Sequence, residues 1–384
     1  MTFSKEFLSN PLFSEQPVSF RPVNPMRMHK NRSPELDEKL KCGAVYQENG
    51  DILFRIWAPN ASTVSVTVAK RTLELTKQPN GAFEGLYPYD ETYCGPHSMD
   101  VIVDGDVFID PYLPIYWHRN RPVNFIEVPD PETDYCLLKD VPHGAVTYET
   151  YWSKALGQWL RCTVYTPAGA RTSGEKYPVL YLQHGATEDE TVWLYNGRMN
   201  YIMDNLIAEG RIVPMIVVMN DGMIRYPDSK GLGDSAFKDN LVGSCIPFIE
   251  ANYPVKTDKW SRAIAGLSMG SGQCASTAYS YPEMFGYIGM FSGRADLEPE
   301  HHGHYYEFAK DTENFAKQYK VYFRGMGDHD ETSMFTNWPI DDAVIAELGI
   351  DKLPNYIRKV YPNGTHEFGA WRRMLKDYTE LLFR

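Results

Sequence analysis

A serine set between two glycines, Gly266-Leu267-Ser268-Met269-Gly270, separates an apolar run (Trp260 to Ala265) from a segment of small residues (Gln273 to Tyr281). Few folds accommodate that order. The run predicts a buried strand, the small residues predict a helix, and only a sharp turn can join them. Side chains at Gly266 and Gly270 would collide with the neighbouring strand and helix, so the turn needs both glycines. It holds the Ser268 hydroxyl above the carboxyl edge of a sheet, where the unpaired N–H groups of the new helix also point. A short glycine-serine pattern alone also fits a plain turn. The strand before it and the helix after it point to a nucleophile. A phosphate loop is excluded, because no Lys-Ser or Lys-Thr pair follows the glycines.

The same rhythm recurs on both sides of Ser268. Tyr177 to Leu182 and Pro214 to Met219 are continuous apolar runs, ending in Gln183-His184-Gly185 and Asn220-Asp221-Gly222. Phe285 to Phe291, Lys320 to Phe323 and Tyr356 to Tyr361 supply later strands, while Tyr201 to Glu209 and Phe237 to Glu250 have helical spacing. Apolar strands alternating with helices predict a mostly parallel sheet covered on both faces. Gly144 to Glu149, Tyr151 to Ser153 and Arg161 to Tyr165 read as antiparallel edge strands ahead of it.

At 384 residues the chain is long enough for two domains. Upstream the pattern becomes one of short strands and hairpins: Ile52 to Trp57, Val64 to Val68, Ala82 to Leu86 after Asn80-Gly81, then Met99 to Val103 and Val107 to Ile109 around Asp104-Gly105-Asp106. This spacing predicts a β-sandwich. Residues before about Lys41 have no periodicity, and Val128-Pro129-Asp130-Pro131 reads as a linker. The expected organisation is an irregular arm over 1–42, a β-sandwich over 43–130 and an α/β domain over 131–384.

A serine becomes a nucleophile only when a base takes its proton, and the base needs an orienting acid. In hydrolases of this architecture the chain order is serine, acid, histidine. After Ser268 the strand-end loops offer Gly327-Asp328-His329-Asp330-Glu331 and Asn363-Gly364-Thr365-His366. His366 is the expected base. Asp330 is the preferred acid over Asp328, with Glu331 third. An oxyanion needs two backbone N–H donors. Met269 supplies one, and Ala186, with Thr187 as the near alternative, supplies the other, leaving His184 a structural role. Trp193, Tyr195, Phe335 and Trp338 fall in loops expected near the pocket, where they would clamp an acyl group or a sugar, or serve as core. His301-His302-Gly303-His304 fits a polar surface loop better than a metal site. No metal or cofactor is expected.

A net charge of −12 without a basic run argues against nucleic acid as the partner. No run is long and apolar enough to span a bilayer. The 26 tyrosines suit sugar-stacking surfaces as well as large cores. Six scattered cysteines (Cys42, Cys94, Cys136, Cys162, Cys245, Cys274) read as buried free thiols. Met1 to Arg32 lacks the features of a signal peptide, so the expectation is a cytoplasmic protein, or an exported one whose leader has been removed.

Phe54-Arg55-Ile56-Trp57-Ala58-Pro59-Asn60-Ala61, with Val103-Asp104-Gly105 and Asp110-Pro111, resembles the early-set immunoglobulin-like modules of carbohydrate-binding family 48, over roughly Gly43 to Pro129. Such modules precede glycan-active enzymes and either bind glycan or brace the catalytic domain. Tyr181 to Gly185, Asp189-Glu190, Trp193, Asn205 to Gly210, Pro214 to Val218, Ala263 to Gly270 and Gly364 to Phe368 with Trp371-Arg372 resemble the esterase-D-like α/β-hydrolases of carbohydrate esterase family 1. That likeness runs from about Gly144 to Arg384. Ser271 departs from it, standing where the family usually has a further glycine, and the loop after His184-Gly185 lacks the family's second glycine.

The resemblance implies an α/β-hydrolase fold behind an N-terminal immunoglobulin-like β-sandwich. It also implies a cofactor-free serine esterase that releases ferulate from acylated plant polysaccharide such as arabinoxylan. The alternatives are an acetylxylan esterase, a siderophore esterase (a class that also carries an N-terminal β-domain), and a non-catalytic carbohydrate-binding protein. Serine, acid and histidine intact and in order speak against the last.

Overall fold

The computed structural model describes residues 1–10, 13, 41–118, 120–228 and 234–384, so most of the expected N-terminal arm lies outside the described residues. The chain divides into two compact units, Met1–Leu138 and Lys139–Arg384.

The first unit is built of antiparallel strands. β1 (Gly43–Tyr46), β2 (Ile52–Trp57), β5 (Thr76–Lys77) and β6 (Ala82–Tyr87) form one sheet in the order β1-β2-β6-β5. A second sheet contains β3 (Val64–Val68), β4 (Arg71–Glu74), β7 (Gly95–Val103), β8 (Asp106–Phe108), β9 (Ile115–His118) and β10 (Arg121–Val128), in the order β4-β3-β7-β10-β9 with β8 also on β7. Alternation sets the faces: Ile52, Phe54 and Ile56 of one sheet bury against Val64, Val66, Val68, Met99 and Val101 of the other in a single core. The two-residue turn Ala69-Lys70 joins β3 to β4 and Asp104-Gly105 joins β7 to β8, all four residues at positive φ. Turns of that handedness match the twist of the strands they connect.

The second unit holds an eight-stranded sheet: β11 (Ala145–Ser153), β12 (Gln158–Thr166), β13 (Val179–Gln183), β14 (Ile216–Asn220), β15 (Arg262–Leu267), β16 (Tyr287–Phe291), β17 (Val321–Gly327) and β18 (Tyr356–Tyr361). Their order is β11-β12-β14-β13-β15-β16-β17-β18. Antiparallel pairing is confined to β12, which pairs so with both β11 and β14; the three expected edge segments are β11 and β12. Strands β13 to β17 are buried at every residue, as befits a sheet covered on both faces. On one face, Tyr181, Val218 and Ile264 pack with Phe237, Ile246, Cys274 and Ala278 of the helical layer. On the other, the Tyr378 hydroxyl donates to Ile264 O, and its ring occupies the space that a side chain at Gly289 would fill.

Several expectations shift. Trp260 lies in a short turn, 40% exposed, and β15 starts only at Arg262. The helix expected over Phe237 to Glu250 is interrupted by a π-turn at Leu241–Cys245, whose following residues include Pro247, unable to donate a backbone hydrogen bond. All six cysteines are thiols outside any disulfide, but Cys42 and Cys94 are only partly buried. Among the described residues, no helix is long and apolar enough to cross a membrane.

Candidate active site

Parallel register aligns the strand ends. Gln183 pairs with Gly266, Leu267 with Phe291, Phe291 with Gly325, and Gly327 with Tyr361. Ser268, Asp330 and His366 each follow one of these ends within five residues, so one sheet edge gathers all three.

Ser268 sits at φ 51° and ψ −118°, between β15 and the helix Met269–Ser280. This backbone region is costly for a side chain, on the order of 1–3 kcal/mol, and persists only where the surroundings enforce it. Here they do. A Cβ at Gly266 would lie 2.4 Å from Gly270 O, and one at Gly270 would lie 2.4 Å from His184 O. Strand, helix and the loop after β13 therefore meet backbone to backbone around the serine.

The His366 Nε2 lies 2.9 Å from Ser268 Oγ, and its Nδ1 lies 2.9 and 3.0 Å from the two Asp330 oxygens. With Nδ1–H donating to the carboxylate, Nε2 is left to accept the serine proton. Asp330 is fully buried and accepts two further bonds at Oδ1, from the N–H groups of Thr332 and Ser333. Asp328 instead meets His329 at 2.7 Å, and Glu331 is exposed. The acid and histidine loops are stitched together: His329 N–H donates to Gly364 O, Asp328 N–H donates to Tyr361 O, and a Cβ at Gly327 would fall 2.1 Å from Gly364 O. Trp371 packs edge-on against the imidazole at 5.1 Å.

Met269 opens its helix, so its N–H has no intrahelical acceptor. Across from it, Gly185 packs against the serine: a Cβ there would lie 3.3 Å from Ser268 Cβ. The next N–H groups are those of Ala186, which is exposed, and Thr187, which donates to Met223 Sδ at 3.3 Å. That contact already engages the Thr187 N–H. His184 is buried, its Nε2 accepting the Gly222 N–H and its Nδ1–H donating to Gly185 O, so it ties two loops together.

The loop also contains a residue the sequence analysis passed over. Glu188 is buried and accepts the Gly185 N–H at 2.9 Å, closing a tight turn around Ala186 and Thr187, with Thr187 at φ 67°. A carboxylate three residues beyond His184-Gly185 was the available signal.

The aromatic candidates separate. Trp193 is buried, its indole N–H donating to Gln183 O and its ring packed edge-on against Phe291 and Phe368, so it is core rather than a substrate contact. Trp338 is buried too, with the guanidiniums of Arg324 and Arg358 lying 4.1 and 4.9 Å from its ring centre. Tyr195 is partly exposed and shares a hydroxyl hydrogen bond with Tyr148, while Phe335 is open to solvent. His301 to His304 lie in the helical segment Pro299–Lys310, which kinks at His302, rather than in a loop. His302 approaches Asp296 and Glu298, but the Arg294 guanidinium already engages both carboxylates.

The Esterase family model matches residues 153–380, more than half of the chain. The chain belongs to this esterase family. The esterase is 36% identical over 344 residues to the endo-1,4-beta-xylanase/feruloyl esterase of Xylanibacter ruminicola, an alignment that covers 86% of this chain and 44% of that protein. It thus spans less than half the length of that curated relative.

Solved structures show the fold. A CE1 ferulic acid esterase from Anaeromyces mucronatus matches with a TM-score of 0.56 at 20% identity, over 66% of this chain and 96% of its own. The enterobactin esterase of Shigella flexneri matches with a TM-score of 0.64 at 16% identity, over 91% of this chain and 98% of its own. The esterase is accordingly a mixed α/β protein of the α/β-hydrolase type.

Proposed function

We propose that this esterase is a serine carboxylic-ester hydrolase that releases ferulate from acylated plant polysaccharide such as arabinoxylan. The observation that carries the reading is the 2.9 Å approach of His366 Nε2 to Ser268 Oγ, with Asp330 behind the imidazole. The xylanase/feruloyl esterase relative supports the substrate class.

In this reading Ser268 Oγ attacks the ester carbonyl while its proton passes to His366 Nε2. Asp330 holds the ring and stabilises it once charged. The carbonyl oxygen, now negative, takes hydrogen bonds from the N–H groups of Met269 and Ala186; one such donor is typically worth about 10²–10³ in turnover. Collapse breaks the ester C–O bond, and the sugar hydroxyl leaves with the proton from His366. Water then enters, gives a proton to His366 and forms the new C–O bond, and the serine recovers its proton as ferulate departs.

We assign the first unit as a carbohydrate-binding-like, immunoglobulin-type sandwich, a reading supported by its two antiparallel sheets and the Phe54 to Ala61 signature. A second substrate reading, a catecholate siderophore ester, draws on the match to the enterobactin esterase over 91% of the chain.

Steady-state rates on methyl ferulate, acetylated xylan and a ferric catecholate ester separate these readings. Preference for the ferulate ester in kcat/KM is expected. Preference for acetylated xylan would move the activity to an acetylxylan esterase, and preference for the catecholate to a siderophore esterase. No turnover of any ester, with xylan binding retained, would leave a non-catalytic carbohydrate-binding protein.

A further inference from the structure

The hairpin β11–β12 reaches beyond the sheet it belongs to. Cys162 pairs with Asn220, the last residue of β14, so Arg161, Leu160, Trp159 and Gln158 continue past the carboxyl edge that holds Ser268. At 3.3 Å per residue, Trp159 stands about 10 Å beyond that end. Opposite it across the hairpin is Trp152, its ring 5.5 Å away and edge-on.

Period-two alternation divides the hairpin into unlike faces. Tyr151 and Cys162 turn into the core, whereas Tyr148, Thr150, Trp152, Trp159 and Arg161 share the other face. The helix Met199–Ala208 covers the far end of that face, where Tyr165 meets Asp204. Further along, the loop that carries Ala186 covers it, through Arg161 on Glu190 and Tyr148 on Tyr195. Past that loop the two tryptophans are left uncovered, 48% and 66% exposed.

Two half-exposed tryptophans over an edge of catalytic chemistry need an occupant. Together with Tyr148 they offer roughly 300–400 Å² of apolar surface, well short of the ~800 Å² per partner of a stable protein interface. Flat apolar rings bordered by hydrogen-bonding groups fit a ligand whose faces are C–H surfaces and whose rim carries hydroxyls. The Arg161 side chain, which is 66% exposed, and Thr150, exposed on the same face, supply those groups.

We propose that Trp152 and Trp159 form a subsite for the glycan chain that carries the ester, holding sugar units beyond the acylated one. The proposal rests on the acylated-polysaccharide reading of the substrate. The two tryptophans stand past the same carboxyl edge of the sheet that holds Ser268, and the loop that carries Ala186 reaches their hairpin through Glu190.

The test compares the full-length protein with Trp152→Ala, Trp159→Ala and Trp159→Phe, each first checked for an unchanged thermal unfolding midpoint. The ratio of kcat/KM on a feruloylated arabinoxylo-oligosaccharide to that on methyl ferulate should fall about fivefold to tenfold in each alanine variant, through KM, and be largely restored by phenylalanine. An unchanged ratio would overturn the subsite, as would loss of a dimer on Trp159→Ala, which would make the stripe a self-interface.

Titration of intrinsic tryptophan fluorescence with unsubstituted xylohexaose reads the same surface without hydrolysis. A saturable change, weakened in Trp159→Ala, is expected; its absence in the wild type would refute the subsite. A protein that binds xylohexaose through Trp159 yet cleaves no feruloyl ester would refute the proposed activity and leave the subsite standing.

Discussion

Both units hold residues other than glycine at positive φ, but for different ends. In the antiparallel unit Ala69, Lys70, Asp104 and Asn120 occupy turns between paired strands, where the left-handed conformation matches strand twist. In the esterase unit Thr187, Ser268, Ser292 and Asn363 stand just past the carboxyl ends of β13, β15, β16 and β18. One set closes hairpins. The other lies along one edge of the sheet, and Ser268, at ψ −118°, lies outside even the left-handed helical region. Strain in the first unit is local and replaceable, whereas in the second it is held in place by packing and tied to chemistry.

Ser268→Gly puts that contrast to its hardest test. Glycine adopts this backbone freely, so the unfolding midpoint should hold or rise while ester turnover drops about 10⁴-fold or more. A variant that lost stability instead would show that the turn is not strained.

Next in size is a pH effect confined to the first unit. Burial pushes the Asp110 carboxyl up to about 6 from 3.8. The folded state then holds this proton more tightly than the unfolded chain between those values. Its contribution to stability is present below pH 4 and is lost as pH rises through 6, on the order of 3 kcal/mol. Urea unfolding should show the wild type losing more stability than Asp110→Asn between pH 4 and 7.5. Parallel losses would mean that Asp110 titrates as an ordinary carboxyl.

Glu188→Ala sharpens the comparison within the esterase unit, since it releases the Gly185 N–H and loosens the turn around Ala186. We expect kcat to fall about tenfold with KM little changed, and Glu188→Gln to recover part of the loss. A pure KM effect would assign Glu188 to substrate binding.

The smallest effect belongs to Lys70→Gly in the β3–β4 turn. Relief of the left-handed lysine is nearly offset by the greater freedom of glycine in the unfolded chain, so stability should move by no more than about 0.5 kcal/mol. Ester turnover should not move at all, and a change in it would blur the contrast between the units.

Much of the candidate site was legible because its signals are local. Ser268, Asp330 and His366 each sit a few residues after an apolar run, and parallel strands bring such loops to one edge. The hairpin residues Asn80-Gly81 and Asp104-Gly105 were equally plain. Burial was not legible. Trp193 and Trp338 read the same from sequence as a surface aromatic would, and only partners distant in the chain, Phe291 and Phe368 or Arg324 and Arg358, enclose them. Nor did the helical spacing over Phe237 to Glu250 reveal the π-turn within it, although Gly243 and Pro247 interrupt that segment.

Covalent labelling tests the central claim most directly. A 4-nitrophenyl phosphonate, which mimics the tetrahedral state and traps an activated serine, should add one group per chain, located on Ser268 by peptide mass mapping. Its rate of addition should fall about 10³-fold or more in His366→Ala. Label on any other residue, or an unchanged rate without the imidazole, would contradict the account.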